Sequence, residues 1–191
     1  MRSNSPILAV IVGLIVTSML WASSAMAAEL TKYSFEDNAN DTAVGDTHDD
    51  SLSMSGTVSY VQGLVGKAAS FTAGNYFVVT NSSDLHLGTA PWTIEAFFKV
   101  PDQPSWSAVC ASKWDQGAPS GYFFGLHDSD QKVVLDNDSG IDGTAGDPLD
   151  DGKWHHVLIS NNGNGGDSAG VKCWVDGTNI QSANGYSEDG P

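Results

Sequence analysis

Carboxylates dominate the reactive side chains of this chain, and their spacing decides what they can do. Glycoside hydrolysis needs two carboxyl groups roughly 5–10 Å apart, one of them with a raised pKa. The only glutamates are Glu29, Glu36, Glu95 and Glu188. Glu95 stands alone on its strand pattern, with no acid nearby on the same face, so the segment reads as non-catalytic. The other nineteen acids are aspartates, mostly beside Gly, Asn or Ser, which places them in turns. Turn oxygens of this kind suit Ca²⁺. The candidate ligands, drawn from loops distant in sequence, are Asp37, Asn38, Asp41, Asp136, Asp138, Asp150 and Asp151. An EF-hand is excluded. Asp136 and Asp138 fit its first and third positions, but Gly140 stands at the fifth, Asp147 at the twelfth, and no helix pattern flanks the loop. The plain alternative is that these acids solvate an extracellular surface.

Two histidines are adjacent, His155 and His156. On a strand they point to opposite faces and cannot share one ion, so one belongs to the core or its edge and the other to solvent. Four aromatics, Trp106, Trp114, Tyr122 and Trp174, stand at strand ends or on outward positions. An aromatic ring stacks on the apolar face of a pyranose while fixed amides and carboxylates read its hydroxyls. Packing at an edge is the structural alternative for each. Trp92 and Trp154 fall on core-like faces. Cys110 and Cys173 are the two cysteines. An even count in an oxidising compartment favours a disulfide, with two buried free thiols as the alternative. Asn40, Asn81 and Asn137 open glycosylation sequons.

The elements that must position these residues are short strands. Leu30–Phe35, Thr57–Val61, Ala68–Phe71, Tyr76–Thr80, Trp92–Val100, Trp106–Lys113, Tyr122–His127, Lys132–Leu135, Lys153–Ser160, Val171–Val175 and Thr178–Ala183 read as strands between Gly/Asp/Asn turns. Ala68–Phe71 with Tyr76–Thr80 reads as a hairpin, and so do Tyr122–His127 with Lys132–Leu135. Trp92, Ile94, Ala96 and Phe98 share the core face of the strongest strand. Glu36–Ser55 is polar and aperiodic. No stretch has helical periodicity, so the fold class is all-β.

Residues 1–27 read as a secretory signal. Arg2 is the positive start, Ile7–Trp21 the apolar run, and Ala25-Met26-Ala27 the cleavage site. The run is shorter than the roughly 20 residues a span needs, although an uncleaved anchor is the alternative. The mature chain is expected to start at Ala28 as one domain, secreted or at the cell surface, with no stable membrane span. A formal net charge of −15 repels phosphate backbones and excludes nucleic acid as a partner.

Residues 150–177, DDGKWHHVLISNNGNGGDSAGVKCWVDG, resemble the laminin-G-like jelly roll of the concanavalin A-like lectin/glucanase superfamily. Tyr33–Asn40, Gly66–Phe71 with Gly74–Val79, and Trp92–Lys99 resemble its earlier strands, in order. The resemblance implies a two-sheet antiparallel jelly-roll sandwich over residues 28–191. It implies that the His pair belongs to the fold, and that a C-terminal strand like "G-x-I-D-E-V-R-I" is missing, so the sandwich is C-terminally incomplete. The Glu-x-Asp-x-x-Glu strand of the sandwich-fold glucanases has no match here. A secreted, non-catalytic module follows, binding a glycan or an extracellular protein, with Ca²⁺ as a candidate cofactor. The alternatives are an accessory domain of a larger extracellular glycoside hydrolase and a structural adhesion spacer.

Overall fold

The computed structural model describes residues 9–18, 28–43, 50–72, 74–79, 91–101, 109–112, 123–126, 131–136, 147–162 and 171–180. Among these residues there is no helix, and thirteen strands follow in order: β1 (Ala9–Ser18), β2 (Ala28–Lys32), β3 (Ser53–Ser55), β4 (Ser59–Gln62), β5 (Lys67–Phe71), β6 (Tyr76–Val78), β7 (Trp92–Lys99), β8 (Val109–Ser112), β9 (Phe123–Leu126), β10 (Val133–Asp136), β11 (Trp154–Asn161), β12 (Val171–Val175) and β13 (Thr178–Asn179). They form an eight-stranded sheet in the order β13-β12-β11-β7-β1-β5-β4, with β2 also paired to β1, a three-stranded sheet β10-β9-β8, and a two-stranded sheet β3-β6. Every pairing is antiparallel. The chain is therefore the all-β antiparallel sandwich that the residue pattern predicts.

The period-two pattern of two neighbouring strands sets where the core lies. Trp92, Ile94, Ala96 and Phe98 of β7 are buried, and Thr93, Glu95, Phe97 and Lys99 are half-buried on the other face. On β11 the buried set is His155, Val157, Ile159 and Asn161. Full pairing of the two strands, from Trp154 opposite Lys99 to Asn161 opposite Trp92, puts both buried sets on one face. The small sheet covers that face, and Phe124, Leu126 and Val133 join Ile94, Phe98 and Ile159 in one cluster. A second cluster holds Tyr33, Phe35, Val58 and Ala69, with Phe77 of β6 packed against it. Phe77 stacks on Phe35 at 5.6 Å and meets Phe71 edge-on at 5.3 Å.

Three expectations change. β5 and β6 do not form a hairpin. Both edges of β5 are taken, by β4 and by β1, and β6 pairs β3 instead. The polar stretch 36–55 holds β3, which its serine-rich pattern hides: one residue of Ser53-Met54-Ser55 faces Phe77 across the pair. Trp154 is on the half-buried face of β11, not the core face, because His155 takes the core-side position. The apolar run at the N-terminus supplies β1, which lies between β7 and β5.

A close approach fixes the β4–β5 turn. Gly63 N–H donates to the Gly66 carbonyl at 2.9 Å, and Lys67 N–H donates to Glu36 Oε1 at 3.1 Å. Gly66 has φ +63°, and a Cβ there would sit 1.9 Å from Glu36 Oε1. Gly66→Ala is expected to cost about 1–2 kcal/mol for the left-handed backbone, more if Glu36 is displaced. Urea unfolding of the variant beside Gly74→Ala checks this. Gly74 also has positive φ but open space around it, so a larger loss at Gly66 isolates the Glu36 contact.

Candidate functional site

Two stretches of the sequence, DG-x-W-H-H-V and W-V-D-G, meet in space as a clamp. β12 ends in a two-residue turn, Asp176-Gly177, with φ of +50° and +79°. Two consecutive positive φ values are the signature of the tight hairpin turn whose twist matches its strands. The turn delivers the Asp176 carboxylate back to β11. Its Oδ1 accepts the His156 backbone N–H at 2.9 Å and its Oδ2 lies 2.8 Å from His155 Nδ1. The other ring nitrogen, Nε2, lies 3.0 Å from Asp151 Oδ1. Asp151 also accepts the Lys153 backbone N–H at 2.8 Å and pairs with the Lys153 ammonium. Burial works to lower the His155 pKa, but the bonds to Asp176 and Asp151 outweigh it and the net shift is upward. Hydrogen bonds from Lys153 and then His155 hold Asp151 well below the usual carboxylate range. Burial opposes the same effect at Asp176, where the His156 N–H and the His155 ring prevail. With both ring nitrogens facing carboxylates, the imidazolium satisfies every partner. The clamp ties the loop before β11 to the turn after β12, which is a structural job.

His156 points the other way, as strand alternation requires, and there it meets a different set of groups. Its ring stacks on Phe97 with centroids 4.4 Å apart and planes 22° apart. Its Nε2 lies 2.7 Å from Glu95 Oε1, and both side chains are about a quarter exposed, 28% and 26%. Cross-strand register extends this face. Asn179 stands opposite Trp174, Trp174 opposite Leu158, and Leu158 opposite Glu95. Directly paired residues share a face. Cys173 and Val175 pack against the core, so Trp174 between them is on the outer side. One row, Asn179–Trp174–Leu158–Glu95, thus crosses four strands, about 14 Å at the ~4.8 Å strand spacing. The Phe97–His156 stack and Trp154 flank it. The result is a flat, partly exposed aromatic surface with a carboxylate, an imidazole and an amide at fixed positions. Among its positions on β7, β11 and β12, Glu95 is the one carboxylate.

Of the sequence-predicted ligand aromatics, Trp174 stands on this surface. Trp106, Trp114 and Tyr122 lie outside the described residues. Among the candidate metal ligands, three carboxylates are committed to the protein itself. Asp37 pairs with Lys67. Asp41 accepts the Thr31 hydroxyl and the backbone N–H groups of Lys32 and Ala43, all at 2.9 Å. Asp151 serves the clamp. Asn38 Oδ1 accepts the Asn40 N–H at 3.0 Å. Asp150 is half-buried in the loop before β11. Asp138 lies outside the described residues, and Asp136 ends β10 with its backbone alone described. Among the described residues no three His, Cys, Asp or Glu are grouped to hold a metal ion. Asp37, Asp41 and Asp151 thus act as loop staples. Cys173 is a free thiol, and burial pushes its pKa up to about 12. It stands on the large sheet while Cys110 lies on β8 of the small one.

Phe97, His156, Leu158 and Glu95 were not singled out from the sequence as ligand contacts. Their signal was the mixed outer face of WTIEAFFK. Only the β7–β11 register shows that it is completed by alternate residues of WHHVLISN.

No curated protein and no solved structure matches the chain. Among the described residues no helix is long and apolar enough to cross a membrane. A laminin-G family model, described as concanavalin A-like lectin/glucanases superfamily, matches residues 71–190. That span holds β6 to β13, including the clamp and the aromatic face. The domains of this superfamily often bind carbohydrate or protein, and the superfamily includes glycosidases. With well over half of its length matched, and with an antiparallel β fold to go with it, the chain belongs to the concanavalin A-like lectin/glucanase superfamily.

Proposed function

We propose that the chain is a secreted, non-catalytic carbohydrate-recognition module that holds its ligand on the outer face of β7, β11 and β12. The observation that carries this reading is the row Asn179–Trp174–Leu158–Glu95 beside the Phe97–His156 stack. Flat aromatic surface suits the C–H face of a pyranose, and Glu95, His156 and Asn179 suit its hydroxyls. Glu95 has no carboxylate partner on the outer positions of these strands, which favours binding over hydrolysis, since hydrolysis needs a pair.

The test is a glycan-array screen of the secreted protein, run with Ca²⁺ and again with EDTA, with folding checked by circular dichroism. Binding is expected to survive EDTA. Trp174→Ala is expected to weaken the best ligand at least tenfold, about 1.4 kcal/mol. Binding that vanishes in EDTA would replace the aromatic face with a Ca²⁺ site on the rim loops. A folded protein that binds no glycan would sink the proposal. Protein recognition is the second reading. Leu64 and Val65, 52% and 77% exposed at the β4–β5 turn, favour it.

A further inference from the structure

Met54 is the one methionine beyond residue 27, since Met1, Met19 and Met26 all fall within the first 27 positions. It is the middle residue of β3 and is 47% exposed. Its thioether has a partner. Met54 Sδ accepts the backbone N–H of Val58 at 3.4 Å. Val58 is buried and stands one residue before β4, whose ladder begins at Ser59 opposite Ser70. A buried N–H outside a ladder needs another acceptor, and here that acceptor is sulfur, a weak one. The preceding N–H, that of Thr57, is also taken by a side chain, Asn75 Oδ1 at 3.2 Å. The turn between β3 and β4 is therefore held by one side chain from β3 and one from the residue before β6.

That turn ties the small β3–β6 sheet to the rest of the fold. The two strands share three cross-strand pairs, Ser53–Val78, Met54–Phe77 and Ser55–Tyr76. A two-stranded ribbon of this size is marginal by itself. On one side of it Tyr76 and Val78 are 54% and 45% exposed. On the other, Phe77 packs on Phe35 and Phe71 of the second cluster. Met54 stands directly opposite Phe77, and paired residues share a side. One sulfur thus sits where the turn, the ribbon and the cluster meet, on a side chain that is open to solvent.

We infer that Met54 is an oxidation site whose thioether latches the β3–β6 ribbon onto the second cluster and whose sulfoxide releases it. The oxidant is a peroxide. A sulfur lone pair attacks one peroxide oxygen and the O–O bond breaks. The proton on the transferred oxygen passes to the departing hydroxide, which leaves as water. Sulfur is oxidised by two electrons and the peroxide is reduced by two. The new S–O bond leaves the sulfur positively polarised, so it no longer accepts the Val58 N–H. An oxygen cannot fit between sulfur and nitrogen at 3.4 Å. The sulfoxide oxygen reaches that N–H only if the side chain retreats from Phe77, and otherwise the N–H is left without its acceptor. Either way a polar group replaces an apolar one beside the aromatic cluster. Cys173 competes poorly for the oxidant, because burial keeps its thiol protonated. All the groups involved lie between Phe35 and Val78, so the latch needs no partner and is independent of the glycan reading.

The test treats the full chain with hydrogen peroxide, maps its tryptic peptides by mass and follows amide exchange by NMR. Peptide 33–67 holds Met54 as its one methionine. The expected result is the gain of one oxygen in that peptide, with exchange at Val58 and across β6 at least tenfold faster and exchange in β7 unchanged. Protection is expected to return after treatment with two methionine sulfoxide reductases, one for each sulfoxide epimer. Met54→Leu is expected to show no response to peroxide in β6. If that variant does not fold, the oxidised fraction of peptide 33–67 must track the loss of protection across a peroxide titration of the wild type. Four results overturn the inference: no oxygen gained at a peroxide level that oxidises free methionine, oxygen gained with exchange at Val58 and β6 unchanged, the same peroxide response in Met54→Leu, or protection that neither reductase restores.

Discussion

Phe98→Ala is expected to lower the stability by about 3–5 kcal/mol, the range for emptying a fully buried aromatic site. Phe98 is among the largest fully buried side chains of the protein, on the strand that the main cluster is built around. Its neighbour across the ladder on β11 is the buried His155, and Ile94, Phe124, Leu126 and Ile159 share its core cluster, so the site is enclosed and cannot easily collapse into the hole. Against a total stability of about 5–15 kcal/mol for a domain of this kind, that is a large fraction. Phe97→Ala is the internal control. It is the next residue, of the same type, on the opposite and half-buried face, where the loss is set by its stack on His156 and is expected near 1 kcal/mol. Guanidinium unfolding followed by tryptophan fluorescence measures both. Equal losses at the two positions would mean that the faces of β7 are assigned wrongly.

Stability is expected to be greatest in a mildly acidic window and to fall on both sides of it, and His155 sets the upper limit. The groups that face its ring are Asp176, Asp151 and, through Asp151, Lys153. The folded His155 pKa is raised above its ordinary 6.5. The folded state therefore holds the proton more tightly than the unfolded chain. The stabilisation is complete below about pH 6.5 and is lost as pH rises through the higher folded value. Asp151 and Asp176 have folded pKa values below their ordinary 3.8. Their contribution is complete above about pH 3.8 and is lost as pH falls through the lower folded values. The plateau thus lies between about pH 4 and 6.5. His155→Ala is expected to cost about 2–3 kcal/mol on the plateau, where it removes two hydrogen bonds to charged groups. It should cost less once the pH has risen through the raised folded value, and it should flatten the alkaline limb of the profile. Thermal melts of both proteins from pH 3 to 9 measure this. A wild-type midpoint unchanged between pH 5.5 and 8 would rule out the charged clamp.

Much of the fold could be read from local pattern. WTIEAFFK alternates so strictly that its buried face was evident before any pairing was known. The β11–β12 and β9–β10 hairpins follow from contact between sequence neighbours across Gly- and Asp-rich turns. The division of His155 and His156 between two faces follows from the two-residue period of a strand alone. Composition set the charge, and with it the expectation that nucleic acid is not a partner.

The pairing of distant strands was decided in three dimensions. Nothing local says that β5 turns its edges to β4 and β1 instead of β6, because hydrogen-bond edges carry no side-chain code. Trp154 was given the wrong face because an aromatic in a strand reads as core. The buried imidazole of His155 took that side once Asp151 and Asp176 satisfied its charge. The candidate ligand face is likewise a product of register. Glu95, Phe97, His156, Leu158 and Trp174 come from three strands up to 79 positions apart, and only the ladder between those strands makes them one surface. Residue types and periods determined the strands and their faces; long-range pairing, which depends on edges and closure, determined which faces meet and what they can bind.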